Sequence, residues 1–386
     1  MIPYGRQDIS PADISAVLEV LNSDYLTQGP MVPLFEQTVS SYCGAGHAVA
    51  VNSATSALHI ACMAFDLGPG DWLWTSPITF VASANCGLYC GAQVDFVDID
   101  PRTYNMCVEK LAAKLVAAEK QGRLPAVVVP VHFSGQSCDM EAIHRLSRQY
   151  GFKVIEDASH AIGAIYKGEP VGNCRYSDIT VFSFHPVKIV TTGEGGMALT
   201  NDPELADRML RHRSHGITSE QEQMHARPAD EIWNYQQIRM GYNYRMTDIQ
   251  AALGVSQMQR LIPFIERRRL IAARYDREFA DLPLQTPWQH SDGNSSYHLY
   301  AIQLQIDALR KTQIQVYEEL RAAGILVNLH YIPVYRQPYY EKMGFGQGYC
   351  PNAERYYKQA LSLPMYSAMT DEQQGLVIAT VRQVLA

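Results

Sequence analysis

The chain has 386 residues, of which 47% are hydrophobic and 18% charged, and its 39 acidic and 32 basic side chains give a formal net charge of −7. This is globular composition, too apolar for a disordered chain, and at about 150 residues per domain it predicts two to three domains. Neither half carries a basic tract for gripping nucleic acid, no apolar run reaches the roughly 18 residues that span a bilayer, and eight scattered cysteines exclude a disulfide scaffold or a common zinc site.

Met1-Ile2-Pro3-Tyr4-Gly5-Arg6-Gln7-Asp8 lacks the charged-then-apolar plan of a signal peptide. A cytoplasmic protein with reduced, mostly buried thiols is expected. The first predicted helix has Ser10 as cap, Pro11 at its first position and Asp13 facing its N-terminus. Ile14, Val17, Leu18 and Leu21 recur at helical spacing and predict one buried stripe. Residues 24–30 then read as an ordered loop.

A strand–helix alternation follows. Strands are predicted at 47–52, 72–75, 94–97, 126–131, 153–156, 179–184 and 197–200, with helices at 55–65, 80–89, 108–120 and 140–150 between them. Such alternation implies an α/β fold with a mainly parallel sheet flanked by helices. After about residue 250 the rhythm changes, with helices at 248–260, 263–280, 312–323 and 372–384 and a strand at 298–304. The expected division is a large domain over 1–250 and a smaller C-terminal α/β domain over 251–386.

Ligands of open α/β sheets gather beyond the carboxyl ends of the strands, and four segments there carry chemistry. Asn52-Ser53-Ala54-Thr55-Ser56 joins a strand to a helix and suits either a phosphate cup or a plain Ser/Thr helix cap. Thr79-Phe80-Val81-Ala82-Ser83 places an aromatic where it would stack on a flat ring or simply fill the core. Glu156 and Asp157 end a buried strand, where acids are costly unless paired. Asp157 is thus a candidate partner for a cationic group, with a structural ion pair as the alternative. Finally, Lys188 lies between an apolar strand and Gly193-Glu194-Gly195-Gly196, flanked by Val187, Ile189 and Val190. Desolvation there would lower its pKa and free the amine as a nucleophile toward carbonyls.

Together the four segments point to pyridoxal 5′-phosphate, which needs a covalent lysine, a carboxylate on its ring nitrogen, a phosphate cup and a stacking partner. Two other motifs are decoys. Arg211-His212-Arg213-Ser214-His215 has a His-x-x-His spacing without further ligands, so a solvated helix end or substrate loop is expected and no metal. Arg267-Arg268-Arg269 reads as the polar face of a helix.

The segments 156–160, 183–188, 193–196 and 241–254 closely resemble those of the DegT-type sugar aminotransferases, a family of the fold type I pyridoxal-phosphate class, and the likeness runs over nearly the whole chain. The resemblance implies that Lys188 carries the cofactor covalently and that Asp157 holds its ring nitrogen. It also implies that His160 lies near the ring hydroxyl, where many relatives have glutamine, that Phe80 stacks, and that Ala54, Thr55 and Ser183 contact the phosphate. Asn243 is implied to reach the neighbouring subunit's cofactor, making a homodimer with shared sites. Tyr4, Asp24, Tyr25, Leu26, Thr27, His330, Tyr331, Ile332 and Pro333 match substrate-contacting segments, as do Ala54, Ser183 and Asn243.

Within the family, the nearest likeness is to enzymes that aminate C4 of a UDP-4-keto-6-deoxy-N-acetylhexosamine in pseudaminic acid synthesis, with L-glutamate as donor and the pyridoxamine form arising in turnover. Ile189 departs from the proline common after the family lysine, and aminotransferases for a UDP-4-keto-pentose, which yield 4-amino-4-deoxy-L-arabinose, are the runner-up. Lys188 argues against the related dehydratases, which resemble the family with histidine at that position. Intact Lys188 and Asp157 argue against a non-catalytic regulator on the same scaffold.

Overall fold

The apolar runs Val127–Val129 and Ile179–Ser183 are buried along their whole length, as strands inside a helix-covered sheet must be. The computed structural model describes residues 1–226, 231 and 233–386. Its central sheet has seven strands: β1 (His47–Val51), β2 (Trp72–Thr75), β3 (Gln93–Phe96), β4 (Val127–Val129), β5 (Lys153–Asp157), β6 (Ile179–Ser183) and β7 (Gly196–Thr200). Their order is β1-β7-β6-β5-β4-β2-β3. Only β7 runs against its neighbours, so the expected mainly parallel sheet is present. Among the described residues no helix is long and apolar enough to cross a membrane.

Strands β8 (Leu284–Gln285), β9 (Tyr300–Leu304) and β10 (Ala360–Leu363) form an antiparallel sheet in chain order. Helices Leu261–Glu278, Gln313–Ala322 and Asp371–Leu385 contribute Ile271, Tyr275, Val316, Val377 and Val381 to the apolar cluster on this sheet. Ile2 joins that cluster because Ile2–Pro3 pairs in parallel with Ile325–Leu326.

Two sequence expectations are corrected and one helix is added. Helix Pro11–Leu21 has the expected Ser10 cap and proline, with Asp13 completing a capping box, but Ile14, Leu18 and Leu21 are exposed. A polar anchor decides the docking face instead: Asp13 is buried and accepts hydrogen bonds from Ser256, Gln257 and Arg260 at 2.6–2.8 Å. After the 24–30 loop, Met31–Cys43 is a helix that local signals do not announce. Buried Asp248, distant in sequence, accepts from the backbone N–H groups of Gly29 and Met31 at 2.8 and 2.7 Å. The arginine run is not one polar face, since successive helical residues point about 100° apart. Arg268 turns inward and donates to the carbonyls of Tyr297, His298 and Met365, and burial lowers its pKa to about 10.

Candidate active site

The strand ends converge on one cavity of about 990 Å³, large enough for a cofactor together with part of a substrate. After β1, Ser53 caps helix Ala54–Ala64 by accepting from the Ser56 N–H at 3.1 Å. Ala54 and Thr55 open that helix and line the cavity, so the unpaired N–H groups of a first turn are presented to it. Gly196, the first residue of β7, packs against this turn: a Cβ there would lie 2.4 Å from the Ala54 nitrogen. Ser183, at the end of β6, lines the same corner. Small residues and helix-end donors make this a cradle that fits a phosphate.

Asp157 ends β5 and is buried. Its Oδ2 accepts from the Ser83 hydroxyl at 2.6 Å and its Oδ1 from the Ser159 N–H at 3.1 Å. The preceding acid takes the ion-pair role: Glu156 contacts His132 Nε2 at 2.6 Å and accepts from Ser177 and Thr180. Asp157 is therefore left facing the cavity with its charge.

Lys188 sits on the loop between β6 and β7, above buried Ile189 and Val190. The loop is held closed by Phe184 N–H to Gly195 O at 2.9 Å and Thr192 N–H to Phe184 O at 3.0 Å. Burial lowers the Lys188 pKa to about 8, and the Asp157 charge offsets part of that effect. Phe80 is exposed at the cavity wall.

The cavity is also lined by Tyr4, His160, His298 and the 328–331 segment. His160 contacts Tyr331 through Nε2 and packs at a tilt against His298, with ring centroids 4.4 Å apart. His330 contacts the Ser362 hydroxyl through Nδ1 at 2.8 Å, and burial pushes its pKa down to about 3.

The cavity thus brings together Lys188, Asp157, His160, Ala54, Thr55, Phe80, Ser183, Tyr4, His330 and Tyr331. It does not include Asp24, Tyr25, Leu26, Thr27, Asn243, Ile332 or Pro333. The 24–27 residues and Asn243 are exposed, with Thr27 bridged to Thr247 and Asn243 to Ser214. Ile332 is exposed, whereas Pro333 is buried beside the Val334–Pro77 backbone hydrogen bond. Sequence reasoning missed roles for Ser83 and His298, because a hydroxyl or imidazole gains a role only from a partner that folding brings near. The His-x-x-His decoy is not a solvated end: Arg211 and His212 are buried, Arg211 pairing with Asp207 at 2.8 Å and His212 Nδ1 meeting Met240 O at 2.8 Å.

Residues 7–382 match the model of the DegT/DnrJ/EryC1/StrS aminotransferase family. The chain is 40% identical over 387 residues to the spore coat polysaccharide biosynthesis protein SpsC of Bacillus subtilis, covering 100% of this chain and 97% of that protein. It is 37% identical over 386 residues to the UDP-4-amino-4,6-dideoxy-N-acetyl-beta-L-altrosamine transaminase of Campylobacter jejuni serotype O:2, covering 100% and 98%. Among solved structures, it superposes with a TM-score of 0.91 on Helicobacter pylori PseC, an aminotransferase involved in the biosynthesis of pseudoaminic acid, at 31% identity and with 100% and 99% of the chains covered.

Proposed function

Because the chain belongs to the DegT/DnrJ/EryC1/StrS aminotransferase family, we propose that it transfers an amino group from glutamate to C4 of a UDP-linked 4-keto-6-deoxy-N-acetylhexosamine of β-L-arabino configuration, the amination step of pseudaminic acid synthesis. The coarser activity, pyridoxal-phosphate-dependent transamination of a nucleotide sugar, is that of the family. The sugar assignment is carried by one observation, the full-length 37% identity to the Campylobacter jejuni transaminase.

The residues present fit the cofactor, which when bound supplies an electron sink for carbon–hydrogen bond breaking next to nitrogen. Ala54, Thr55 and Ser183 would hold its phosphate, Phe80 would cover the ring, and Asp157 would keep the ring nitrogen protonated. His160, with Tyr331 beside it, would serve the ring hydroxyl. Lys188 would anchor the cofactor and, once freed from it, move the proton at sugar C4, a role worth roughly 10²–10⁴-fold. Tyr4, His330 and Tyr331 offer aromatic faces and directed polar groups to the sugar and base. The working unit is a homodimer in which Asn243 and the 24–27 loop serve the partner's cavity. Their exposure outside their own cavity supports this, as does the exposed Ile14, Leu18 and Leu21 face.

Amine transfer from glutamate to a panel of purified UDP-4-keto sugars tests the assignment. The acetamido-hexose is expected to be used well ahead of the pentose, because losing the acetamido group leaves buried polar partners unpaired. Higher catalytic efficiency on the UDP-4-keto-pentose would replace this reading by 4-amino-4-deoxy-L-arabinose formation.

A further inference from the structure

The hydroxyls of Thr79 and Ser83, four positions apart in the chain, lie with 2.7 Å between their oxygens. Both are buried, and Ser83 belongs to helix Ala82–Tyr89, the helix that follows Phe80. The Ser83 oxygen is 2.6 Å from Asp157 Oδ2, in the charge-assisted range, and 3.4 Å from the competing Phe80 carbonyl. An ionised carboxylate only accepts, so the single Ser83 proton goes to Asp157. The Ser83 oxygen is then the acceptor for the Thr79 proton. The resulting chain, Thr79 to Ser83 to Asp157, has one direction, and each link polarises the next.

We infer that Ser83, backed by Thr79, is a positioning residue for the reaction: it holds the Asp157 carboxylate in the orientation that keeps the cofactor's ring nitrogen protonated. With Ser83 on Oδ2 and the Ser159 N–H on Oδ1 at 3.1 Å, rotation of the carboxylate would break two hydrogen bonds. This role rests on Asp157 facing the ring nitrogen.

The test compares Ser83→Ala, Thr79→Val, Thr79→Ser and Asp157→Asn in the cofactor-loaded protein. Two quantities are read: the pH midpoint of the cofactor's visible absorbance, and kcat against KM for the sugar. Ser83→Ala is expected to displace the midpoint and lower kcat by about tenfold to a hundredfold, with KM held within about twofold, as for loss of a hydrogen bond to a charged group. Thr79→Val, nearly isosteric, should give a smaller effect of the same kind, and Thr79→Ser should restore both readouts. The Thr79 pair carries the same test if Ser83→Ala does not fold. A normal midpoint and kcat in Ser83→Ala and Thr79→Val, beside an inactive Asp157→Asn, would overturn the relay alone. Full activity in Asp157→Asn would overturn the relay and the Asp157 role together.

Discussion

His160 Nε2 lies 3.2 Å from the Tyr331 hydroxyl, and the backbone N–H of Ser134 donates to His160 Nδ1 at 3.3 Å. Because Nδ1 accepts, the proton of the neutral ring resides on Nε2 and is donated to the Tyr331 oxygen. Burial, with the nearby Lys188 charge, holds the His160 pKa well below its ordinary value and keeps the ring neutral. Burial also raises the Tyr331 pKa, so its phenol stays protonated. The Tyr331 proton is thereby left free of His160, on a hydroxyl at the cavity that both residues line.

Replacing His160 by glutamine retains a donor toward Tyr331, whereas leucine leaves the phenol unoriented. His160→Leu is expected to lose at least about tenfold in kcat/KM and His160→Gln less than about threefold, the scale of one hydrogen bond. Steady-state kinetics on both variants decide it, and equal losses would count against the orienting role.

Lys188 titrates at about 8 because burial disfavours its charged form. Its amine is neutral above that pH, where a surface lysine remains charged up to about 10.4. In protein stripped of cofactor, an amine-selective reagent should label Lys188 with a midpoint near pH 8, followed by peptide mapping. A midpoint in the ordinary lysine range would mean that the side chain is solvated.

The proposed sharing of sites between subunits predicts complementation between two inactive chains. Lys188→Ala and Asn243→Ala homodimers should each be impaired, and subunit exchange should assemble one intact site in the mixed dimer. Activity recovered on mixing, measured after exchange is verified by mass-tagged chains, is the expected result. Verified mixed dimers without activity would show that Asn243 serves no neighbouring site.

Asp248 accepts from Gly29, Met31 and Val32 N–H groups while buried at the start of helix Asp248–Met258. Asp248→Ala leaves those donors unpaired and should destabilise the protein by about 2–4 kcal/mol, read as a lowered urea midpoint. Because Asp248 secures the chain just after the exposed 24–27 loop, amide exchange there should quicken as well. Unchanged exchange in residues 24–32 would contradict this anchoring.

Much of the site was legible because the signals that reveal it are local. Asp157 and Lys188 each follow an apolar strand, and strand ends are where open α/β sheets place ligands. The Ser53 cap and the small residues behind it likewise announce a helix N-terminus in the chain itself. Ser83 was visible only as one more polar residue on a helix, since its meaning depends on an aspartate 74 positions away.

By itself the sequence determined the alternation of strands and helices, the limits of elements such as Trp72–Thr75 and Met140–Tyr150, and the strand ends that carry Asp157 and Lys188. These follow from periodicity, run length and capping, which act over a few residues. Only the tertiary structure decided which face of helix Pro11–Leu21 is buried, that Arg268 turns inward, where the His160 proton sits and what orients Asp157. Each of those outcomes is the choice of a partner for a buried polar group. Such a group must be satisfied wherever packing leaves it, and packing joins residues whose separation along the chain carries no local signal.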